Sequence, residues 1–148
     1  MQINMRLNLP TDEASIPAVR HICAQALTEI ATLPDCIHDI EVALTEACAN
    51  VVEHSGGDTD YSVEVTIDDA RCVIRVYDNG PGFESGEVSA STADPTSEGG
   101  RGVNLMRALV DRVRFESEPE DGTVVSLEKE LRFEQSRLVA AAAPDEAH

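Results

Sequence analysis

Apolar and polar residues alternate at the start of the chain. Four apolar side chains are separated by polar ones over residues 2–9, which predicts a half-buried β-strand that ends at Pro10. From there the apolar residues recur at helical spacing up to about residue 31, so we predict a helix with Thr11 or Asp12 as its cap. The same spacing predicts a second helix over about 35–54.

The rest of the chain returns to strand patterns, with one long exception. Residues 84–98 lack periodicity and are rich in small and acidic side chains, and a loop of that length inside a compact domain is usually functional. The remaining patterns predict strands over 61–67 and 72–77, a short helix over about 102–111, and strands over 112–117 and 123–131 joined by a turn at 119–122.

This order of elements predicts the fold class. Strand, two helices, two strands, loop, helix and two strands give an α/β two-layer sandwich, with a mainly antiparallel or mixed sheet and helices on one face. The absence of regular β-α-β alternation argues against a doubly wound dinucleotide-binding fold. We predict one domain over residues 1–131, followed by a disordered C-terminal tail over 132–148.

Charge and cysteine content narrow the classes of function. The formal net charge of −17 repels phosphate backbones and anionic membranes, so neither nucleic acid nor a membrane is expected as a partner. A basic protein partner remains open, as does a role of the charge in solubility alone. The four cysteines are widely spaced without a C-x-x-C pair, which favours reduced thiols in a cytoplasmic protein.

The second predicted helix carries a polar row beside its apolar stripe. Glu46, Asn50 and His54 repeat every four residues and therefore share one face. A carboxylate and a carboxamide one turn apart can serve a hydrated metal ion or a phosphate-bound hydroxyl, and Mg²⁺ prefers such oxygen ligands. Taken alone, the row is more typical of the wet side of an amphipathic helix than of a ligand site.

Glycines follow the predicted strand over 72–77, in the segment 78-DNGPGF-83. Gly80 and Gly82 allow a sharp turn and a planar ligand close to the main chain. Asp78 offers a carboxylate that can accept a hydrogen bond from an exocyclic amine such as that of adenine. The alternative is an ordinary Asp-Asn-Gly turn.

A second glycine segment, Gly99-Gly100-Arg101-Gly102, leads into the third predicted helix. Backbone N–H groups at the start of a helix form an anion site, and Arg101 adds a positive charge suited to phosphate. The segment is neither a Walker loop nor a dinucleotide fingerprint, and a flexible hinge is the alternative interpretation. Thr123, at the start of the last strand, has a hydroxyl that could assist adenine binding.

Taken together in this order, the motifs resemble those of the GHKL ATPases, which share the Bergerat or histidine-kinase-like ATPase fold. The segment 46-EACANVVEH-54 is similar to the N box, 78-DNGPGF-83 to the G1 box, 99-GGRGVNLM-106 to the G2 box and 122-GT-123 to the last glycine-threonine element. The resemblance covers about residues 3–131. Within the superfamily, the chain is most similar to the anti-sigma-factor serine kinases of bacteria.

The resemblance implies a role for each matching residue. Asn50 would bind the Mg²⁺ that bridges the ATP phosphates, and Glu46 would act as the general base toward a serine hydroxyl. Asp78 would bind the adenine amine, and residues 84–98 would form the ATP lid. The remaining nucleotide-binding residues would be Gly80, Gly82, Gly99, Gly100, Arg101, Gly102 and Thr123. His54 receives no role.

The resemblance also implies partners. Such kinases bind a sigma factor as a homodimer and phosphorylate a small STAS-type antagonist, whose phosphorylation leaves the sigma factor sequestered. One alternative is a nucleotide-binding module that sequesters a partner without phosphorylating it. Another is the ATP-binding half of a histidine kinase, but the context of His21 lacks the acidic residue expected after a phosphoacceptor histidine.

Overall fold

A computed structural model of the chain describes residues 1–54, 60–78, 98–118 and 122–134. Eight elements lie within these residues, in the predicted order. They are β1 (Gln2–Pro10), α1 (Ser15–Glu29), α2 (Pro34–His54), β2 (Asp60–Asp68), β3 (Arg71–Asp78), α3 (Glu98–Leu109), β4 (Arg112–Glu118) and β5 (Gly122–Glu130). Of the predicted turn at 119–122 only Gly122 is described, and of the predicted tail over 132–148 only residues 132–134 are described.

The five strands form one antiparallel sheet in the order β1-β2-β3-β5-β4. Alternate residues of β3 are buried, and those that face the helices continue the apolar core into α2. Ile40 and Ala43 of α2 lie beside Ile74 and Leu127 of the sheet. The helices therefore cover one face of the sheet, and the predicted two-layer α/β sandwich is confirmed. None of the described helices is long and apolar enough to cross a membrane.

The first helix begins later than predicted. Neither Thr11 nor Asp12 is its cap, because α1 starts at Ser15 and the residue at its N-cap, Ala14, makes no side-chain cap bond. Asp12 Oδ1 instead accepts a hydrogen bond from the Ala14 amide at 3.0 Å, and its carbonyl accepts one from the Ser15 amide at 2.9 Å. Asp12 thus stabilises a turn that precedes the helix, which is a common use of a short carboxylate side chain.

The third helix begins earlier than predicted. It starts at Glu98, so the segment Gly99–Gly102 forms its first turn and does not precede it. Glycine is a poor helix former, which is why the sequence favoured a later start. The four amides at a helix N-terminus have no partner within the helix, and here they belong to this glycine-rich turn.

All four cysteines are buried as free thiols. Cys23, Cys48 and Cys72 belong to the main core with the aliphatic side chains of both layers, and Cys36 lies at the start of α2. The prediction of reduced thiols packed as small apolar groups is confirmed.

Tyr61 connects three elements at one end of this core. Its side chain is fully buried, and its hydroxyl lies 2.7 Å from Ser15 Oγ of α1. The Cys48 thiol of α2 is hydrogen-bonded to the same hydroxyl. Burial raises the pKa of the Tyr61 phenol from 10.0 to about 12, and burial likewise raises the pKa of the Cys48 thiol from 9.0 to about 12.

These shifts predict a loss of stability in alkaline solution. Both groups are held neutral in the folded state, so their contribution is fully present below the unfolded pKa values of 9.0 and 10.0 and is lost as the pH rises through about 12. We expect the free energy of unfolding, measured by urea denaturation, to fall across that range. Tyr61→Phe should flatten the decline above pH 10.0, whereas Tyr77→Phe on the other face should not. A wild-type stability that stays constant up to pH 12 would contradict the prediction.

Candidate active site

Two buried polar residues lie side by side at one edge of the sheet. Asp78 is the last residue of β3, and Thr123 lies near the start of β5. Tyr77 pairs with Val124, so one further step along the same register places Asp78 opposite Thr123. Each is only 2% exposed, and both are on the helix-covered face. The sheet thus brings together two residues that are far apart in the sequence.

The Thr123 hydroxyl is unsatisfied. Its Oγ1 is buried and has no hydrogen-bond partner among the described residues. A buried hydroxyl without a partner costs free energy, so native structures usually satisfy it with protein, ligand or ordered water. This position therefore suits a ligand with a hydrogen-bonding edge, in agreement with the predicted adenine site.

Helix α2 runs over the sheet toward the same edge. At its start, Asp39 Oδ2 lies 3.4 Å from Lys129 Nζ at the far end of β5. The span from Asp39 to Asn50 along the helix is roughly 16 Å, and the span from Lys129 back to Thr123 along the strand is roughly 20 Å. The half of α2 that carries Asn50 therefore lies over the end of the sheet where Thr123 is found.

A direct contact supports this placement. Cys48 of α2 is hydrogen-bonded to the Tyr61 hydroxyl, and Tyr61 pairs with Asp78 across the two strands. Residues Glu46 and Asn50 stand on either side of Cys48 along the helix, and both are partly exposed. The half of α2 that carries the polar row therefore passes over the strand ends where Asp78 lies.

Glu46 also meets the start of α3. A Cβ atom placed on Gly102 would lie 2.9 Å from Glu46 Oε2, which is closer than side-chain atoms normally approach. Glycine at position 102 therefore leaves room for the carboxylate next to the glycine-rich first turn. The positive end of a helix dipole favours a negative charge in this position.

Several predicted site residues cannot be placed. Gly80, Gly82 and the lid residues 84–97 lie outside the described residues, as do the side chains of Arg101 and His54. The backbone of Gly99 and Gly100 lies in the first turn of α3. The nucleotide-binding roles of all these residues therefore stay predictions.

An open groove of about 330 Å³ lies beside Glu46, on the outer side of α1 and α2. Its lining consists of Arg20, His38, Glu41, Val42, Thr45 and Glu46. No motif in the sequence indicates this surface, although residues 38, 41, 42 and 45 follow the helical spacing of one face. The groove gives a second molecule access to the Glu46 carboxylate.

These features suit a nucleotide with its metal ion. The glycine-rich first turn of α3 offers backbone N–H groups to phosphates, and the Asn50 side chain supplies an oxygen suited to Mg²⁺. Asp78 and the unsatisfied Thr123 hydroxyl offer a polar edge to a base. A glycine-rich helix start, a buried polar pair at the strand ends and a partly exposed carboxylate are the parts that a nucleotide-dependent phosphotransfer site would need.

The chain belongs to the family of histidine kinase-like ATPase domains, whose model matches residues 9–129. The anti-sigma F factor of Pasteuria penetrans is 36% identical over 110 residues, covering 69% of this chain and 72% of that protein. The serine-protein kinase RsbW of Bacillus velezensis is 28% identical over 142 residues, covering 88% of each protein. The resemblance to this class of proteins is therefore confirmed.

A solved structure shares the fold. The RsbU and RsbW domains of a Mycobacterium tuberculosis protein superimpose with a TM-score of 0.67 at 21% identity. The match covers 87% of this chain and 32% of that longer chain. It agrees with the histidine-kinase-like ATPase fold predicted for the two-layer sandwich.

Proposed function

We propose that this protein is a cytoplasmic anti-sigma factor and an ATP-dependent serine kinase, which phosphorylates a STAS-type antagonist of that anti-sigma activity. The observation that carries the proposal is the position of the Glu46 carboxylate. It lies against Gly102 in the first turn of α3 on one side and borders an open groove on the other. This position, next to a glycine-rich helix start and beside an open groove, supports a role of Glu46 as the base toward a serine hydroxyl. The names of the relatives support the same function.

The catalytic step requires one proton transfer and tight positioning. Glu46 accepts the proton of the serine hydroxyl while the serine oxygen attacks the γ-phosphorus, and ADP leaves. Magnesium-bound ATP supplies the phosphoryl group and a partly neutralised phosphate chain. Asn50 would hold the metal ion, Asp78 would accept a hydrogen bond from the adenine amine, and Arg101 would contact the phosphates. The proposed ATP-binding domain spans residues 1–131, with the lid over 84–98 covering the nucleotide.

Phosphorylation of the antagonist would decide whether the kinase holds the sigma factor. An unphosphorylated antagonist binds the kinase and releases the sigma factor. A phosphoserine adds up to two negative charges, which disfavours contact with a surface as acidic as this one. The phosphorylated antagonist leaves, and the kinase, as a homodimer, again holds the sigma factor and represses transcription.

Transfer of label from ATP tests the proposal. Candidate antagonists and sigma factors are captured from the native cell with the full chain and identified by mass spectrometry. Each purified candidate is then incubated with the kinase, Mg²⁺ and γ-labelled ATP. We expect label on one serine of a small antagonist and none on the sigma factor. Nucleotide and sigma-factor binding without transfer to any candidate would instead identify a sequestering module that does not phosphorylate.

A further inference from the structure

Lys129, the only lysine of the chain, is largely enclosed by the fold. Its side chain is 19% exposed, whereas lysine side chains are rarely buried unless their charge is paired. The ammonium group donates a hydrogen bond to the Leu109 carbonyl at 2.9 Å and one to Asp39 Oδ2 at 3.4 Å. A side chain of β5 thus joins the end of α3 to the first turns of α2. We call these three residues the clamp.

The chemistry of lysine suits the clamp. Leu109 is the last residue of α3, and the carbonyls in the last turn of a helix have no partner within the helix. A cation at this end satisfies a carbonyl and stabilises the negative end of the helix dipole. The ammonium group is compact and has three donors, so it serves the Leu109 carbonyl and the Asp39 carboxylate together.

The surroundings of the clamp are tightly packed. Lys129 lines a small gap together with Ile40 and Ala43 of α2 and with Val110, which follows α3. The gap is too small to hold a water molecule. Packing of this kind leaves the lysine stem little room to move. The clamp therefore holds the end of α3 at one fixed place on α2.

The clamp lies two helical turns from Glu46. On α2, Asp39 precedes Glu46 by seven residues. On α3, Gly102 precedes Leu109 by seven residues. Seven residues make about two turns, so each pair shares one face of its helix over roughly 10 Å. Glu46 meets Gly102 at one end of this span, and the clamp joins the two helices at the other.

Only apolar side chains are needed between these two contacts. Helix α3 packs against α2, and it contributes Val103 and Met106 to the core while α2 contributes Ala43 and Ala47. Hydrophobic burial is not directional, so it holds two helices together without fixing how far one slides along the other. The polar contacts at the two ends therefore set the register and the tilt of α3 on α2.

We propose that Lys129 is a positioning residue for phosphoryl transfer, which sets the register of α3 on α2 and thereby the distance from the Glu46 carboxylate to the glycine-rich first turn of α3. This inference rests on the proposed kinase activity. Lys129 lies at the opposite end of β5 from Thr123, so it acts through α3 and not on the nucleotide. A tilt of about 5° over this span moves one end of α3 by about 1 Å, and a misplacement of about 1 Å can cost about 100-fold in rate.

Lys129→Met tests the positioning role by its kinetics. Methionine keeps an apolar stem of similar length and removes the ammonium group. Single-turnover transfer at saturating Mg-ATP should fall at least about tenfold, because the base and the glycine-rich turn lose their alignment. In a Glu46→Gln background the same change should cost less than about threefold, because the base whose position is lost is already absent. A folded Lys129→Met variant with the wild-type rate, or an equal loss in both backgrounds, would overturn the inference.

Arg107→Met is the matched control. Arg107 is exposed in the last turn of α3, so its replacement removes the same charge near the same helix end and leaves the clamp intact. This variant should transfer label like wild type. If Lys129→Met does not fold, Asp39→Asn takes its place, because it removes only the ion pair of the clamp. Asp39→Asn should slow transfer about threefold, and a folded Asp39→Asn variant with the wild-type rate would then count against the clamp.

A measurement without turnover separates the register from the kinase activity. Isotope-labelled lysine gives a single set of side-chain NMR signals, because Lys129 is the only lysine. Gly102→Ala displaces the contact at the far end of the span and should therefore shift the Lys129 Cε signal. Asn104→Ala, at an exposed position of the same helix, should not shift it. An unchanged signal in Gly102→Ala would overturn the inference even if label is transferred. A wild type that transfers no label would instead overturn the proposed kinase activity, and the signal would still test the register.

Discussion

Glu46→Gln is expected to slow phosphoryl transfer to the antagonist by about 1,000-fold, within the range typical for loss of a general base. Glutamine has nearly the same size and shape but cannot accept the serine proton at neutral pH. Because the proposed contacts of Glu46 are with the serine and not with the nucleotide, the affinity for Mg-ATP should change by less than about threefold. Single-turnover transfer rates and calorimetric binding measure the two quantities separately.

A matched change elsewhere controls for the loss of a carboxylate. Glu29→Gln alters an exposed residue in the last turn of α1, removes the same charge and should leave transfer unchanged. A Glu46→Gln variant that transfers label as fast as wild type would remove Glu46 from catalysis. Nucleotide binding and the sigma-factor interaction would then still require their own tests.

Gly102→Ala tests the position of the Glu46 carboxylate without changing Glu46 itself. The added methyl group would lie 2.9 Å from Glu46 Oε2, so the flexible end of the glutamate must move. We expect transfer to fall about 10–100-fold because the base is displaced. Stability should be unchanged or slightly higher, since alanine favours a helix more than glycine does. Loss of transfer together with a folded protein separates positioning of the base from damage to the fold.

The strands were predictable because their signal is local. Alternation over residues 2–9 and 61–67 reflects two faces of unequal burial, half-buried against exposed in β1 and mostly buried against half-buried in β2, and the structure pairs these two segments directly. The ends of helices were less predictable, since they depend on bonds that do not follow a period. Asp12 is an acceptable cap by residue type, but it uses its carboxylate in a turn, and α1 begins three residues later.

The residues of the candidate site were predictable only as separate motifs. Nothing in the local sequence indicates that Gly102 touches Glu46, because that contact depends on how α3 packs against α2. The same holds for Tyr61, whose hydroxyl meets Ser15 and Cys48 from two other elements. The order of the motifs along the chain matches a known family, whereas these tertiary contacts exist only in the folded structure.

Asn50→Ala is expected to weaken the binding of ATP in the presence of Mg²⁺ by at least about 100-fold, or about 2.8 kcal/mol. Alanine removes the proposed metal ligand, and without it the charge of the phosphates lacks a fixed counterion in the site. The residue is partly exposed and lies outside the apolar stripe of α2, so the domain should remain folded. Isothermal titration calorimetry measures ATP binding once with Mg²⁺ and once with a chelator. Asn50→Ala should lower the affinity only when Mg²⁺ is present.

The contrast between two asparagines makes this prediction specific. Asn4→Ala makes the same chemical change at an exposed position of β1, on the opposite side of the sheet from α2, and should bind Mg-ATP like wild type. If Asn50→Ala also binds normally while remaining folded, magnesium is held by other residues, and the proposed pocket loses its metal ligand. If both the affinity and its magnesium dependence are lost, the polar row on α2 carries the metal ion as well as the base. On that one face of α2, Glu46 would then serve proton transfer and Asn50 would serve nucleotide binding.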